Sequence, residues 1–170
     1  MRIETSNKTY IHYGSSHFDP ERFVPIHNEL YRNKPKGGLW ASPLNDEGYE
    51  DGFGWRTFWA DDISVEEDET DNVEFLPGGR YGTSFRFTLK PESKVLKLIH
   101  KSDMEGIPCV PDPVDHPCFR VKIPDFEYLL CGMGVAAIEF SPEELYDDMY
   151  GWDVECVLVL DPYAVVEVKE

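Results

Sequence analysis

The most continuous apolar pattern in the chain lies near its C-terminal end, from Val154 to Leu160. Six of these seven residues are apolar and valine recurs, which predicts a strand that is buried on both faces and central in its sheet. Glu155 interrupts the pattern. Because side chains alternate along a strand, Glu155 is predicted to share a face with Val157 and Val159, where a carboxylate is costly unless it has partners. Glu155 is therefore a candidate functional residue.

Alternating or uniformly apolar segments predict six further strands, at residues 9–14, 38–42, 83–89, 94–99, 134–140 and 165–168. Trp55, Phe58 and Trp59 have helical spacing, which predicts a short helix at about 54–60. A second helix is predicted at 124–132, where proline and acids occupy the first turn and a glycine ends the segment. Ser141-Pro142-Glu143-Glu144 has the spacing of a capping box and predicts a third helix, at 141–150.

Short strands interspersed with short helices, without a regular βαβ rhythm, indicate an α+β domain rather than a doubly wound sheet. At 170 residues the chain is expected to form one domain, residues 1–170. No apolar run approaches the ~20 residues of a membrane-spanning helix, and Met1–Lys8 has no apolar signal core. Four widely spaced cysteines are typical of reduced thiols, so we expect a cytoplasmic protein without contact to membranes.

The net charge of −17 repels phosphate backbones, so direct nucleic-acid binding driven by electrostatics is not expected, whereas a basic protein partner is compatible with it. Residues 61–74 contain eight acids and no base, and a Leu-Pro-Gly-Gly segment follows at 76–79. This composition predicts an acidic, exposed loop over residues 61–80.

Three segments carry the remaining chemical signals. The first predicted strand ends in His12-Tyr13-Gly14-Ser15, a glycine pair leads into Gly38-Leu39-Trp40-Ala41-Ser42, and Glu155 heads the late strand. In this order the segments resemble the ADP-ribosyltransferase superfamily, particularly its diphtheria-toxin and poly(ADP-ribose) polymerase branch. They are also similar to small phage-encoded proteins of that fold, including an anti-CRISPR transferase. The resemblance covers roughly residues 9–60 and 125–168.

The resemblance implies an ADP-ribosyltransferase-like fold of split antiparallel β-sheets with short flanking helices, and NAD as the co-substrate. It makes Glu155 the catalytic glutamate, because a carboxylate bonded to the ribose hydroxyls favours an oxocarbenium-like state. Either Tyr49 or Trp55 would stack on the nicotinamide ring. The NAD-binding residues that it implies are His12, Tyr13, Gly14, Ser15, Gly38, Leu39, Trp40, Ser42, Tyr49 and Trp55.

Two assignments within this site stay open at the level of sequence. The family places histidine directly before Gly-Ser, but Tyr13 occupies that place here and His12 precedes it. Adjacent strand residues face opposite ways, so only one of the two can take the role. Alignment on Gly14-Ser15 selects Tyr13, whereas the residue type, a histidine, selects His12. Glu139 is a rival to Glu155, because it lies in the predicted strand 134–140 among small and apolar residues.

The function that follows from the resemblance is mono-ADP-ribosylation of a macromolecular acceptor, a protein rather than a nucleic acid. The setting would be phage–host conflict in the cytoplasm of a bacterial cell. Asp153, two residues before Glu155, keeps arginine open as the acceptor. The alternatives are an NAD glycohydrolase and a catalytically silent acidic module, which would mimic nucleic acid or inhibit a basic partner. No metal site is expected, because Cys109, His116 and Cys118 with His100 lack a usual zinc spacing.

Overall fold

The structure, a computed structural model, describes residues 1–29, 33–56, 83–110, 123–149 and 151–169. Its strands are β1 (Arg2–Glu4), β2 (Thr9–Tyr13), β3 (Leu39–Pro43), β4 (Ser84–Leu89), β5 (Lys94–Leu98), β6 (Val135–Phe140), β7 (Cys156–Val159) and β8 (Val165–Glu167). The helix α1 spans Phe126–Cys131, and 3₁₀ turns lie at Pro20–Arg22, Lys101–Met104 and Pro162–Ala164. The predicted acidic loop 61–80 lies outside the described residues. So does most of the predicted helix 54–60, of which Trp55 and Arg56 are helical.

The strands form one eight-stranded sheet in the order β1-β5-β6-β7-β3-β2-β4-β8. With few helices around it, this sheet confirms the α+β class. The resemblance implies split antiparallel sheets, and the sheet of the structure is antiparallel except between β5 and β6, which are parallel. Parallel neighbours need a long crossover, and the chain between them, which includes α1, supplies it.

The central strand β7 lies between β6 and β3, as its apolar pattern predicts. The junction between β2 and β3 has fewer paired residues than the junctions on either side of it. The two strands pair only through Tyr10 with Pro43 and Ile11 with Ser42, whereas β2 pairs with β4 along its whole length. The sheet therefore consists of two halves, β1-β5-β6-β7-β3 and β2-β4-β8, which join at one end of β2 and β3.

Each face of the sheet has its own apolar core. We call the first the Tyr10 face, and its buried side chains include Tyr10, Ala41, Phe85, Phe87, Ala137, Val157 and Val159. The second is the Trp40 face, where Trp40 packs against a buried set that includes Leu96, Phe126, Leu129, Ile138, Trp152 and Leu158. Helix α1 covers the Trp40 face with Phe126 and Leu129, because these two positions are three apart and share one side of the helix.

Trp152 organises the core on the Trp40 face. Its ring stacks on Phe126 with the centroids 6.2 Å apart, and it meets Trp40 and Phe140 edge to face at 4.8 and 5.1 Å. The indole N–H donates to the carbonyl of Asn33 at 3.0 Å, so the one polar atom of this buried ring has a partner. Trp40 therefore belongs to a packed aromatic cluster.

The helix predicted at 141–150 was wrong, because residues 143–149 form a series of turns. Both side chains of the capping box bind elsewhere. The hydroxyl of Ser141 donates to Glu155 at 2.7 Å, and the carboxylate of Glu144 accepts from the backbone N–H of Lys101 at 3.2 Å. Long-range partners thus replace the local hydrogen bonds that would have started a helix.

A buried carboxylate links the two halves of the sheet on the Tyr10 face. Glu139, on β6, is 3% exposed and accepts from Lys97 Nζ at 2.6 Å, from Ser6 Oγ at 2.9 Å and from the hydroxyl of Tyr10. Tyr10 is on β2, in the other half of the sheet. Hydrogen bonds from Lys97 and Tyr10 outweigh the effect of burial and hold the pKa of Glu139 below its ordinary value. We call Glu139, Lys97, Tyr10 and Ser6 the Glu139 network.

Glu139→Gln is expected to destabilise the fold strongly. The substitution keeps the side chain's size but leaves Lys97 buried without an opposite charge, and breaking a buried pair in this way costs roughly 3–5 kcal/mol. Urea unfolding followed by circular dichroism measures the loss.

Glu92→Gln is the control, because Glu92 is exposed in the turn between β4 and β5 and its change should stay within about 0.5 kcal/mol. Replacing both charges, as Lys97→Met with Glu139→Leu, should restore part of the stability lost in Glu139→Gln. Equal urea midpoints for Glu139→Gln and Glu92→Gln would contradict a linking role for the network.

Candidate active site

The strands that carry the three sequence motifs are neighbours in the sheet, in the order β7-β3-β2. Alternation along β2 and β3 places His12, Leu39 and Ala41 on the Tyr10 face, and Glu155, in the bend just before β7, continues the alternation of Val157 and Val159 on that face. The register between β3 and β7 fixes this arrangement. Leu39 pairs with Val159 and Ala41 pairs with Val157, and both valines belong to the core of the Tyr10 face. The sequence motifs thus lie on three adjacent strands, although Glu155 is more than 100 residues from the other two motifs in the chain.

Glu155 is half-buried and held from three sides. Its Oε1 accepts from Ser141 Oγ at 2.7 Å, and its backbone N–H donates to the carbonyl of Phe53 at 2.9 Å. Gly52 packs against the side chain so closely that a Cβ there would lie 2.8 Å from Glu155 Cγ. The positive φ of +80° at Gly52 also favours glycine. The carboxylate is therefore confined between the end of β6 and the segment that follows β3.

The electrostatic surroundings of Glu155 favour its neutral form. Burial raises the pKa of Glu155 above its ordinary value, and the neighbouring charges of Asp51 and Glu143 add to the rise. The hydrogen bond from Ser141 and the charge of Lys8 act in the opposite direction. Raised carboxyl pKa values are a frequent property of functional sites. Glu139 has the opposite environment, because its partners are hydrogen-bond donors and cations.

His12 lies one position beyond the paired residues of β2 and β3. Its Nδ1 is 2.7 Å from the carbonyl oxygen of Trp40, and its ring contacts Phe85 with the centroids 5.2 Å apart. A carbonyl can only accept, so Nδ1 carries the proton, and Nε2 is an acceptor in the neutral ring. A side chain thus makes the contact with β3 that a backbone N–H would make in a regular ladder. Of the two open assignments, His12 is the residue on the same face as Glu155.

Other predicted site residues lie on the Trp40 face, away from Glu155. Trp40 and Trp55 meet edge to face at 6.1 Å, and Ser42 Oγ accepts from the backbone N–H of Trp55 at 3.1 Å. Tyr13 is on this side of β2, where burial and the charge of Glu50 raise its pKa to about 12. The structure does not bring these four residues together with Glu155 on one face.

The remaining predicted residues lie in turns. Gly14 donates its N–H to the carbonyl of Thr83 at 2.9 Å, and Ser15 Oγ donates to the carbonyl of His17 at 3.4 Å. Gly38 has a φ of +79°, and a Cβ there would lie 2.6 Å from a methyl group of Leu158. The glycine is thus required by packing against β7. Tyr49 is 70% exposed in the turn after β3.

Ser141 and Gly52, the two residues that confine Glu155, are not among the site residues predicted from the sequence. Ser141 lies one position beyond the Phe140–Cys156 pair of the β6–β7 ladder, so it faces Glu155 directly. Its contact was hidden because the Ser-x-x-Glu spacing has a local interpretation as a capping box. Gly52 is one of several glycines in a turn-rich segment, and no sequence signal distinguishes it.

No cluster of three or more histidine, cysteine or acidic side chains that could hold a metal ion occurs within the described ranges. In the same ranges, none of the helices has the length and apolar character needed to cross a membrane. Searches against protein-family models, curated proteins and solved structures found no match to the chain.

The two carboxylates are expected to change stability with pH in opposite directions. The raised pKa of Glu155 means that the folded state binds more protons than the unfolded state. The contribution of Glu155 to the free energy of unfolding therefore falls as pH rises above the ordinary value of 4.5. Glu155→Gln removes this slope and should be more stable than the wild type near neutral pH. We expect a gain below about 1 kcal/mol, because a half-exposed group is screened by solvent.

Glu139→Gln supplies the matched comparison. The lowered pKa of Glu139 stabilises the fold above the ordinary value of 4.5, and this contribution is lost as pH falls below it. The difference in free energy of unfolding between Glu139→Gln and the wild type should therefore become smaller as the pH falls. Urea midpoints from about pH 3.5 to about pH 7 test both signs. A Glu155→Gln variant that is less stable than the wild type at neutral pH would contradict a raised pKa of Glu155.

Proposed function

We propose that this protein is an NAD-dependent mono-ADP-ribosyltransferase with an ADP-ribosyltransferase-like fold, and that Glu155 is its catalytic carboxylate. The single observation that carries the proposal is the position of the three motifs on adjacent strands. His12, Leu39 and Ala41 share one face with Glu155, and extending the β3–β7 register places Glu155 level with Pro43, the partner of Tyr10. The resemblance implies split sheets with NAD between the halves, and the short β2–β3 junction is consistent with that arrangement.

The chemistry would be the displacement of nicotinamide from the ribose carbon C1′. The C–N bond breaks with both electrons leaving on nicotinamide, while a nucleophile of the acceptor bonds to C1′ and loses its proton. Positive charge develops on the ribose in the transition state. The ionised Glu155, accepting a hydrogen bond from a ribose hydroxyl, would stabilise that charge. Partial burial strengthens this effect because the local dielectric is lower than in water.

The other motif residues take complementary roles in this proposal. Ala41 is 1% exposed and packs in the core of the Tyr10 face, so in this proposal it supports β3 and does not contact NAD. His12, whose Nδ1 binds the carbonyl of Trp40, would contribute its ring to the same face of the site as Glu155. In this arrangement Trp40 and Trp55 support β3 from the opposite face and do not contact NAD.

The charge distribution favours a protein acceptor over a nucleic acid. A chain with a net charge of −17 repels a phosphate backbone at long range and attracts basic protein surfaces. Carboxylates near the site add to this preference, because the charges of Asp51 and Glu143 act on Glu155.

Glu155→Gln is expected to lower kcat for nicotinamide release by roughly 10²–10³, the usual effect of removing one focused electrostatic contact. The dissociation constant for NAD should change by less than about threefold, because the charge at the ribose develops only in the transition state. Chromatographic detection of nicotinamide gives the rate, isothermal titration calorimetry gives the affinity, and labelled NAD reports transfer to a basic protein.

Glu143→Gln is the matched control. It removes one negative charge near Glu155 from an exposed side chain that the proposal does not place against NAD, so kcat should stay within about twofold. Nicotinamide release without labelling of any acceptor would favour the glycohydrolase. If the wild-type protein showed neither NAD binding at millimolar concentration nor nicotinamide release, the enzyme proposal would fail and the acidic binding module would be favoured.

A further inference from the structure

The geometry points to Ser141 as the positioning residue of Glu155, which fixes one carboxylate oxygen so that the other meets the substrate ribose. The inference rests on the proposed function and adds to it a residue that none of the three sequence motifs contains. Ser141 Oγ donates to Glu155 Oε1 at 2.7 Å, a length typical of a strong bond from a hydroxyl to a carboxylate. With Oε1 bound in this way, Oε2 is the oxygen left to accept a bond from a ribose hydroxyl.

The backbone around Ser141 is rigid enough for this role. Ser141 is 4% exposed and follows the last residue of β6, and its N–H donates to the carbonyl of Leu98 at 3.0 Å. Pro142 comes next and fixes its own backbone torsion. The hydroxyl is therefore presented from the end of a buried strand, which holds a side chain more precisely than a loop does.

Gly52 restricts Glu155 from the opposite side. A Cβ at Gly52 would lie 2.8 Å from Glu155 Cγ, so the side chain is in direct contact with the backbone there. The carbonyl of the following residue, Phe53, accepts the Glu155 N–H at 2.9 Å. Ser141 and Gly52 thus limit the orientations of Glu155, and this restriction is needed where a displacement of about 1 Å can cost 10²-fold in rate.

The conflict between local sequence and structure at Ser141 supports a functional reason for the contact. The Ser-x-x-Glu pattern favours a capping box, yet both of its side chains bind partners elsewhere. Departures from local preference concentrate at functional sites, since elsewhere the local and long-range preferences of a sequence agree. The hydroxyl also opposes the effect of burial on the ionisation of Glu155.

Ser141→Ala is expected to lower kcat by roughly 10–100-fold and to leave NAD affinity nearly unchanged. Because the hydrogen bond that favours the charged form is lost, the acid limb of the pH–kcat profile should move to higher pH by about one unit. Ser141→Thr, which keeps the hydroxyl, should restore the position of the acid limb. Carbon-detected NMR titration of the Glu155 carboxyl measures the same pKa change without any turnover.

Ser93→Ala is the matched control, because Ser93 is also buried but lies in the turn before β5, away from Glu155. It should leave the rate and the pH profile unchanged, and thermal melts establish that each variant is folded. A wild-type protein that is inactive at every pH would overturn the proposed function together with this inference. An active wild type with unaltered kcat, pH profile and Glu155 titration in Ser141→Ala would overturn the role of Ser141 alone.

Discussion

The buried carboxylate of Glu139 is the contact on which the architecture depends. The two halves of the sheet share only two residue pairs between β2 and β3, too few to fix their relative position by backbone hydrogen bonds alone. Tyr10 on β2 and Lys97 on β5 both bind Glu139 on β6, so the network spans the short junction. A buried charge is tolerated only when its partners are complete, which makes these contacts mutually dependent.

Beyond this anchored end, the remaining positions of β2 and β3 are not paired with each other in the ladder. Beyond Ile11, the His12 ring contacts the carbonyl of Trp40 on β3. A side chain can change rotamer while the two half-sheets stay in place, whereas a regular ladder could not open without losing several backbone bonds. The paired end of the junction, at Tyr10, is level with Glu155, because extending the β3–β7 register places Glu155 opposite Pro43, the partner of Tyr10.

Much of this fold follows from local patterns, because hydrophobic periodicity is a property of short segments. The patterns at 9–14, 38–42, 83–89, 94–99, 134–140 and 154–160 all correspond to strands of the sheet, with boundaries that differ by one or two residues. The three-residue strand β1 was missed, because Arg-Ile-Glu is too short and polar to show a period. The predicted helix at 141–150 was wrong for a different reason, since its signal came from side chains whose partners are remote in the sequence.

The candidate site was less accessible to sequence reasoning than the fold. Alternation correctly placed Glu155 with Val157 and Val159, but a motif does not reveal that Leu39 and Ala41, rather than Trp40 and Ser42, share its face. That distinction depends on the register between strands, which is set by pairing across more than 100 residues. The register between strands also decides whether His12 or Tyr13 shares a face with Glu155. Motif resemblance identifies the segments, and register decides which of their side chains meet.

The two glutamates on the Tyr10 face show how one fold can hold carboxylates for opposite purposes. Glu139 has donors and cations around it, and these contacts stabilise its charge and consume its hydrogen-bonding capacity. Glu155 is half-exposed, lies near other acids and binds one hydroxyl, so its charge is poorly compensated in the folded protein. A carboxylate that is already bound to donors and cations interacts only weakly with a further positive charge. Of the two, therefore, only Glu155 retains interaction energy that a positively charged ribose could use.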